Sequence, residues 1–278
     1  MAAALQELVK LAALAFAVIS MLVVGLGHDW REIVGPLRQW QKVLRALTAN
    51  FVLVPILAYV VVRIFPLEQA HAIGLFLIAA AAGAPFLIKL TEAADSDAAL
   101  SATLLVVLLP ATIVYMPIVV PLKFPDAGVS VLSIASPLVL TMLLPLGIGL
   151  VARALAPRLA WRVQPPMGKL STISLVVLVA ATLLANLPGI VAIFRTAAVL
   201  AAFILIGGAF AIGYGLGGPR RSSKEVLGLG TAQRNIAAAT VVATEALGHP
   251  DTVAMVVVSS LAGFAILFPV AGVLRKRR

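Results

Sequence analysis

Two cations and several amide side chains lie in segments of this sequence that are otherwise apolar. Lys89 lies within residues 71–94, and a Gln-Arg-Asn run lies within residues 225–247. A charged side chain at the centre of a membrane helix costs roughly 2.5–3.5 kcal/mol on insertion scales, so such residues usually have a partner or a function. We therefore expect a polar site inside a membrane. The candidates for contact with a ligand are Lys89, Arg234, Asn235, Gln233, Asn50 and Ser101.

Both groups lie beside a predicted interruption of a helix. The first interruption contains Gly83 and Pro85, and the second contains Gly230 and Thr231. Glycine lets the backbone turn, and proline removes a hydrogen-bond donor. Because unwound backbone is costly in lipid, each interruption must face protein or a water-filled cavity. A matched pair of broken membrane helices indicates the binding site of a secondary transporter.

The composition is that of a polytopic membrane protein. The chain is 62% hydrophobic and 12% charged, with a mean hydropathy of +1.11, whereas soluble domains are about half apolar and a quarter charged. A helix needs about 20 mostly apolar residues to cross the hydrocarbon. The sequence therefore predicts an all-α fold with about nine spans. They are residues 5–26, 43–65, 71–94, 98–122, 129–155, 168–187, 190–216, 225–247 and 252–274.

The basic residues predict the orientation of these spans. Most of the 21 Lys and Arg residues lie in alternate loops, and the loops with that excess are cytoplasmic. The N-terminus is then outside and the C-terminus cytoplasmic, and we expect a bacterial inner (plasma) membrane. Contact with anionic lipid, and not with nucleic acid, accounts for the net charge of +10. The cytoplasmic clusters are Arg31, Arg38, Lys42 and Arg45; Arg153, Arg158, Arg162 and Lys169; Arg220, Arg221 and Lys224; and the tail 275–278, whereas the other loops hold Arg63, Lys123 and Arg195.

Other kinds of chemistry are not indicated. The sequence contains no cysteine, which excludes disulfides and thiolate metal sites. The three histidines each lack a nearby second ligand, so no metal site is predicted. We expect neither an enzyme nor a cofactor nor an obligate protein partner. Thr240 and Thr244 are interpreted as helix-packing residues.

An internal repeat divides the single transporter domain, residues 1–278. Each half contains a whole helix, a broken helix and a helix opened by an aspartate, Asp97 or Asp251, a residue suited to a helix N-terminus. The first broken helix enters from outside and the second from inside, so the repeats are inverted. Four spans lie in residues 1–122 and five in residues 129–274.

The residues around both interruptions resemble the bile acid:sodium symporter family and its wider superfamily. The matching blocks are residues 74–77, 82–85, 97–101 and 231–239, with Asn50, Phe51 and Pro55 before the first interruption. The resemblance covers most of the chain. It implies a core domain in which two broken helices cross, packed on a panel domain of spans one, five and six, with substrate in the cleft between them.

The resemblance also implies where sodium would bind, and there the sequence departs from the family. The Ser and Asn ligands that follow the first interruption correspond to Leu87 and Ile88. A family Glu corresponds to Leu229, and a Thr to Leu105. Hard cations need several oxygen ligands, so we expect weak or absent sodium coupling. The family positions that keep a polar side chain are Gln233, Ser101 and, as a shorter amide, Asn50.

Three interpretations of the two cations remain open. In the first, Lys89 pairs with Glu92 three residues later and Arg234 binds carbonyls of unwound backbone. In the second, the two fixed charges replace sodium and attract an anionic substrate. In the third, Lys89 takes up and releases a proton and couples transport to protons. The first two can both hold.

The sequence thus predicts a secondary transporter that moves a small organic anion, bile-acid-like or a carboxylate, by alternating access. Membrane lipid is the other expected partner, and Na⁺ or H⁺ is a possible coupling ion. Two alternatives are kept. One is a non-transporting membrane sensor or scaffold of the same fold, and the other is a sodium-coupled symporter that uses backbone ligands.

Overall fold

The computed structural model of the protein describes residues 2–29, 40–187, 190, 191, 193 and 196–277. Within these ranges the regular structure is helical and contains no strand, which confirms the all-α prediction for this part of the chain. Four of the basic residues used to predict the orientation lie outside the described residues: Arg31, Arg38, Arg195 and Arg278.

The helices before residue 128 include the first broken helix, whose two parts are α3 and α4. A π-helical turn, Ala49–Leu53, interrupts α2 without ending it. The helices are α1 (Ala2–Gly27), α2 (Trp40–Ile64), α3 (Gln69–Ala80), α4 (Leu87–Ala93) and α5 (Ala98–Lys123).

The remaining helices include the second broken helix, whose two parts are α9 and α10. A π-helical turn, Val242–Leu247, continues α10, and another, Val139–Leu143, lies within α6. The helices are α6 (Val131–Leu155), α7 (Pro157–Ala185), α8 (Ala198–Leu216), α9 (Arg221–Ala232), α10 (Ile236–Val241) and α11 (Pro250–Lys276).

Seven of these helices are long and apolar enough to cross a membrane: α1, α2, α5, α6, α7, α8 and α11. Their outer surfaces carry large apolar side chains, among them Leu122 and Leu155, which are 77% and 81% exposed. Exposed apolar surface of this extent marks contact with a membrane or another protein, and the length of the helices favours a membrane.

The helix predicted to begin at residue 168 begins earlier, at Pro157. Pro165 and Pro166 lie inside it. Each proline leaves the carbonyl group four residues before it without a helical donor. Those carbonyls belong to Trp161 and Arg162, which are both exposed. Water can therefore satisfy them, and the helix continues through the prolines.

Close contacts join several pairs of helices. α1 packs against α6 and α7, α8 packs against α9, and α11 packs against α3. At the contact of α1 with α6, a Cβ atom on Gly25 would lie 2.4 Å from the carbonyl oxygen of Leu146. One on Gly149 would lie 2.6 Å from that of Leu22. Small residues let membrane helices approach this closely.

The two aspartates predicted to open helices behave differently. Asp97 precedes α5, and its Oδ1 accepts a hydrogen bond from the Leu100 N–H at 2.9 Å, which confirms the cap. α11 instead begins at Pro250, since proline is favoured at the first helical position, so Asp251 lies within the first turn. The Asp251 carboxylate accepts a hydrogen bond from the Asn186 amide at 2.9 Å.

Candidate functional site

The first helix break lies between α3 and α4, at residues 81–86, and contains the predicted Gly83 and Pro85. Gly83 has a φ of +74°, a conformation that residues with a Cβ adopt only with strain. A Cβ atom there would also lie 2.6 Å from the backbone nitrogen of Leu109 in α5. Glycine therefore lets the unwound chain pass directly against α5.

α5 satisfies part of this unwound backbone through Thr112. The Thr112 hydroxyl accepts a hydrogen bond from the Ala82 N–H at 2.9 Å and donates one to the Ala82 carbonyl at 3.0 Å. Thr112 is fully buried. Thr112 is not among the residues predicted from the sequence, where its only signal is a hydroxyl group halfway along a long apolar helix.

The second helix break lies later in the chain than predicted. α9 continues through Gly230 and Thr231, and the non-helical residues are 233–235. Glycine within a helix costs only about 0.5–1 kcal/mol relative to alanine, so Gly230 does not end the helix. Its role is close packing, because a Cβ atom there would lie 3.0 Å from Cδ2 of Leu87 in α4.

Arg234 connects the second break to the end of α3. Its side chain is buried, its Nε donates to the Ile78 carbonyl at 3.0 Å, and its Nη2 donates to the Ala79 carbonyl. Its Nη1 donates to the Thr231 carbonyl at 2.9 Å and to Asn50 Oδ1 at 2.6 Å. Carbonyl groups at a helix C-terminus carry partial negative charge. The guanidinium thus lies where α3 and α9 both end, and the carbonyl groups of the two helix ends favour a cation there.

Asn235 connects the two breaks directly. Its backbone N–H donates to the Ala81 carbonyl at 2.9 Å, and its Nδ2 donates to the Gly83 carbonyl at 3.0 Å. Its Oδ1 accepts from the Ala238 N–H at 3.1 Å and so caps α10. All of these bonds are internal, so Asn235 stabilises the contact of the two breaks.

Asn50 brings α2 to the same point. It lies in the π-helical turn of α2 and is buried. Its Nδ2 donates to the Ala46 carbonyl at 2.9 Å and to Thr231 Oγ1 at 3.3 Å, while its Oδ1 accepts from Arg234. Asn50 is therefore fully hydrogen-bonded within the protein.

Ser101 does not belong to this connection, contrary to the prediction that groups it with the other polar candidates. It lies in the first turn of α5, and its hydroxyl donates to the Ala98 carbonyl at 2.7 Å. Thr112, which contacts the first break, lies about three helical turns further along α5. The reason is geometric, because the middle of α5, and not its first turn, passes the first break.

A cavity of about 430 Å³, which we call the crossing cavity, lies beside the two breaks. Residues 233–235 line it from the second break, and Pro85 lines it from the first. Its volume is within the range of about 300–1,000 Å³ that is typical of ligand sites. Much of the wall is apolar and includes Phe16, Val24, Phe86, Ile88, Leu175 and Phe264.

Lys89 lines the crossing cavity and is exposed, although its place in an apolar segment predicts a buried cation. It forms no ion pair with Glu92 in the described part of the chain, although Glu92 lines the same cavity. Lys169 of α7 and His28 also line it. Among the charged lining residues, lysine and arginine outnumber carboxylates, so the cavity favours an anion.

Gln233 is, besides Lys89, a candidate residue that remains available to a ligand. Only its backbone N–H is bonded, to the Leu229 carbonyl at 2.8 Å. Its side chain lines the crossing cavity and forms no hydrogen bond with the described residues. Arg234 and Asn235 also line the cavity, but their side chains and that of Asn50 bond within the protein and hold the breaks together. Gln233 and Lys89 are the lining candidates that remain available to a ligand.

Long apolar helices around a polar site of two helix breaks define an integral membrane protein. Residues 13–193 match the model of the sodium bile acid symporter family, and this is more than half of the chain, so the chain belongs to that family. The match confirms the resemblance read from the sequence; it includes the first break and ends before the second. The family is one of transporters. No curated protein matches the chain.

Proposed function

We propose that the protein is a secondary transporter that moves a small organic anion across the membrane by alternating access. The observation that carries the proposal is that the crossing cavity reaches both helix breaks. Broken helices at mid-membrane supply polar contacts to a substrate while the rest of each helix stays hydrogen-bonded. The family supports this proposal at the level of a transporter.

An anion with an apolar body fits the crossing cavity best. The apolar wall would contact the body, and Lys89 and Lys169 would attract the anionic group. Charge attraction is stronger where little water screens it. Glu92 would repel the anionic group, but it is one carboxylate, and several cations line the same cavity. The unpaired amide of Gln233 would add a directional hydrogen bond. A steroid carboxylate has this distribution of polar and apolar groups, and shorter carboxylates share the charge.

Movement between two groups of helices would expose the cavity alternately to the two sides. In this proposal α1, α6 and α7 form the panel, and the other helices form the core. Phe16 and Leu175 line the cavity from the panel, and Ile88 and Phe264 line it from the core. If each broken helix crosses the membrane once, the chain has nine crossings in an inverted 4+5 arrangement. With the N-terminus outside, the crossing cavity opens to the cytoplasm.

We also propose that transport does not require sodium at the crossing. The support is that the Arg234 guanidinium already binds Asn50 Oδ1 and three carbonyl oxygens. Such oxygens are the ligands that a hard cation needs, and a tethered cation excludes a second one. The hydrocarbon side chains of Leu105 and Leu229, which are both fully buried, offer no oxygen ligand.

The test is counterflow of labelled cholate in proteoliposomes of the purified protein, with short aliphatic carboxylates as competitors. We expect saturable uptake that protein-free liposomes lack and that changes little when potassium or choline replaces sodium. Binding of cholate without counterflow would favour a membrane sensor or scaffold. A steep, saturable sodium requirement would favour a sodium-coupled symporter that uses backbone ligands.

A further inference from the structure

A second cavity, of about 130 Å³, lies between the same helices as the crossing cavity but at their opposite ends. α1 lines the second cavity with Val9 and the crossing cavity with Phe16. α7 lines the second cavity with Thr182 and the crossing cavity with Leu175. The segment α10 with its π-helical turn also lines both. The two cavities therefore lie along one boundary between the proposed panel and core.

One face of α10 leads from the first cavity to the second. Ile236 lines the crossing cavity and Thr244 lines the second cavity. Thr240 lies between them, and residues spaced by four share a helix face. The Thr244 hydroxyl donates to the Thr240 carbonyl at 2.9 Å, which shows that the two residues are adjacent. Thr240 therefore lies in the barrier that separates the cavities.

The Thr240 hydroxyl is buried without a hydrogen-bond partner in the described structure. An unsatisfied buried polar group costs about 1–3 kcal/mol, and a valine would fill nearly the same space without that cost. Packing alone therefore does not explain a threonine here. The hydroxyl would gain a partner if water or a ligand reached it in another arrangement of the helices.

The rest of the barrier is apolar and short. Ala13 of α1 lies between Val9 and Phe16, and Leu178 of α7 lies between Leu175 and Thr182; Ala13 and Leu178 are both fully buried. Phe16 lies seven positions after Val9, a rise of about 10 Å along the helix. A small shift of α1 and α7 against α10 would be enough to connect the cavities.

Both cavities carry basic residues. Lys10 and His249 line the second cavity, and Lys10 lies 3.8 Å from the carboxylate of exposed Glu7. We propose that the second cavity is the other entrance of the anion pathway, and that the Thr240 hydroxyl contacts the anion where the barrier between the two cavities closes this pathway. This inference rests on the proposed transport function. It revises the sequence-based interpretation of Thr240 as a packing residue.

Single-cysteine labelling tests the pathway without background, because the chain has no cysteine. We would compare Thr240→Cys with Ala238→Cys, which is equally buried but lies on the opposite face of α10. The reagent is the membrane-impermeant anion 2-sulfonatoethyl methanethiosulfonate, applied to vesicles of either orientation. Ile236→Cys and Thr244→Cys, which line the two cavities, mark reaction from one side each.

We expect Thr240→Cys to react from both sides, at least about tenfold faster than Ala238→Cys, because thiol reaction requires exposure. Reaction from one side only, or at the rate of Ala238→Cys, would overturn the proposed pathway. Labelling does not require transport. Two-sided reaction without cholate counterflow would therefore reject the transport function and keep the pathway. Counterflow with an unreactive Thr240→Cys would keep the transport function and reject the pathway through Thr240.

Thr240→Val gives a second measurement that does not depend on labelling. It removes the unpaired hydroxyl and keeps the shape, so we expect unchanged or higher thermal stability. If the hydroxyl contacts the anion in transit, the rate of cholate counterflow falls. Counterflow at the unaltered rate in a stable Thr240→Val variant would contradict the role assigned to Thr240.

Discussion

Arg234 Nη1 lies 2.6 Å from Asn50 Oδ1, and this bond joins the second broken helix to a π-helical turn of α2. The same guanidinium binds the carbonyl groups at the end of α3. One side chain thus connects three helices at the point where the two breaks meet. Helix ends and an amide balance its charge, and no carboxylate of the described residues forms an ion pair with it. This arrangement leads to the first prediction.

Arg234→Gln and Asn50→Ala should each lower the thermal stability of the purified protein. A hydrogen bond to a charged group contributes about 1.5–3 kcal/mol, and both variants lose the same bond. The double variant should therefore lose less than the sum of the two single losses. Arg162→Gln, which removes an exposed cation of α7, is the control. Strictly additive losses would show that the bond contributes nothing.

Gly83→Ala should destabilise the protein because of both conformation and space. A left-handed conformation costs a residue with a Cβ roughly 1–2 kcal/mol, and the new methyl group would meet the α5 backbone. Gly207→Ala is the matched control, since a Cβ atom on Gly207 meets no atom within 4 Å. It should be neutral or stabilising by about 0.5–1 kcal/mol. Equal melting temperatures of the two variants would contradict the described break.

Gln233→Ala should weaken cholate binding or uptake and leave the melting temperature nearly unchanged. The physical reason is that its amide lines the crossing cavity without a hydrogen-bond partner among the described residues. Asn235→Ala should lower both quantities, because the Asn235 amide holds the Gly83 carbonyl at 3.0 Å. A large loss of stability in Gln233→Ala, measured by thermal unfolding, would place its amide in the structural connection instead.

Lys89→Gln should reduce uptake of the anion, and Lys89→Arg should preserve it better if positive charge is what the substrate requires. If Lys89 instead carries a proton, both variants should fail equally, because arginine does not release its proton in proteins. Uptake measured with and without a proton gradient separates the two outcomes. Full activity of Lys89→Gln would exclude Lys89 from both roles.

The distribution of basic residues predicts the orientation of the chain. Cysteines introduced singly at Ala2, Lys123 and Arg278 should be labelled from outside, outside and inside, respectively. Because the chain has no cysteine of its own, an impermeant thiol reagent reports each position directly. Labelling of Ala2→Cys and Arg278→Cys from the same side would reject nine crossings.

The sequence by itself determined the class of the protein and the identity of most polar residues at its centre. Apolar spans and polar interruptions are local properties, and membrane burial makes both conspicuous. Gly83 and Pro85 lie in a break as predicted, because a left-handed turn and a missing N–H act on the backbone locally. Gly230 and Thr231 stay helical, because neighbouring helices decide whether a single glycine ends a helix.

Tertiary structure alone decided which polar residues contact one another. Arg234 and Lys89 look alike in the sequence, yet only Arg234 is buried against helix ends, and Lys89 faces the cavity. Ser101 and Thr112 lie in one helix, but only Thr112 is level with the first break. Each of these outcomes depends on where a helix passes its neighbours, and that geometry comes from packing over the whole chain.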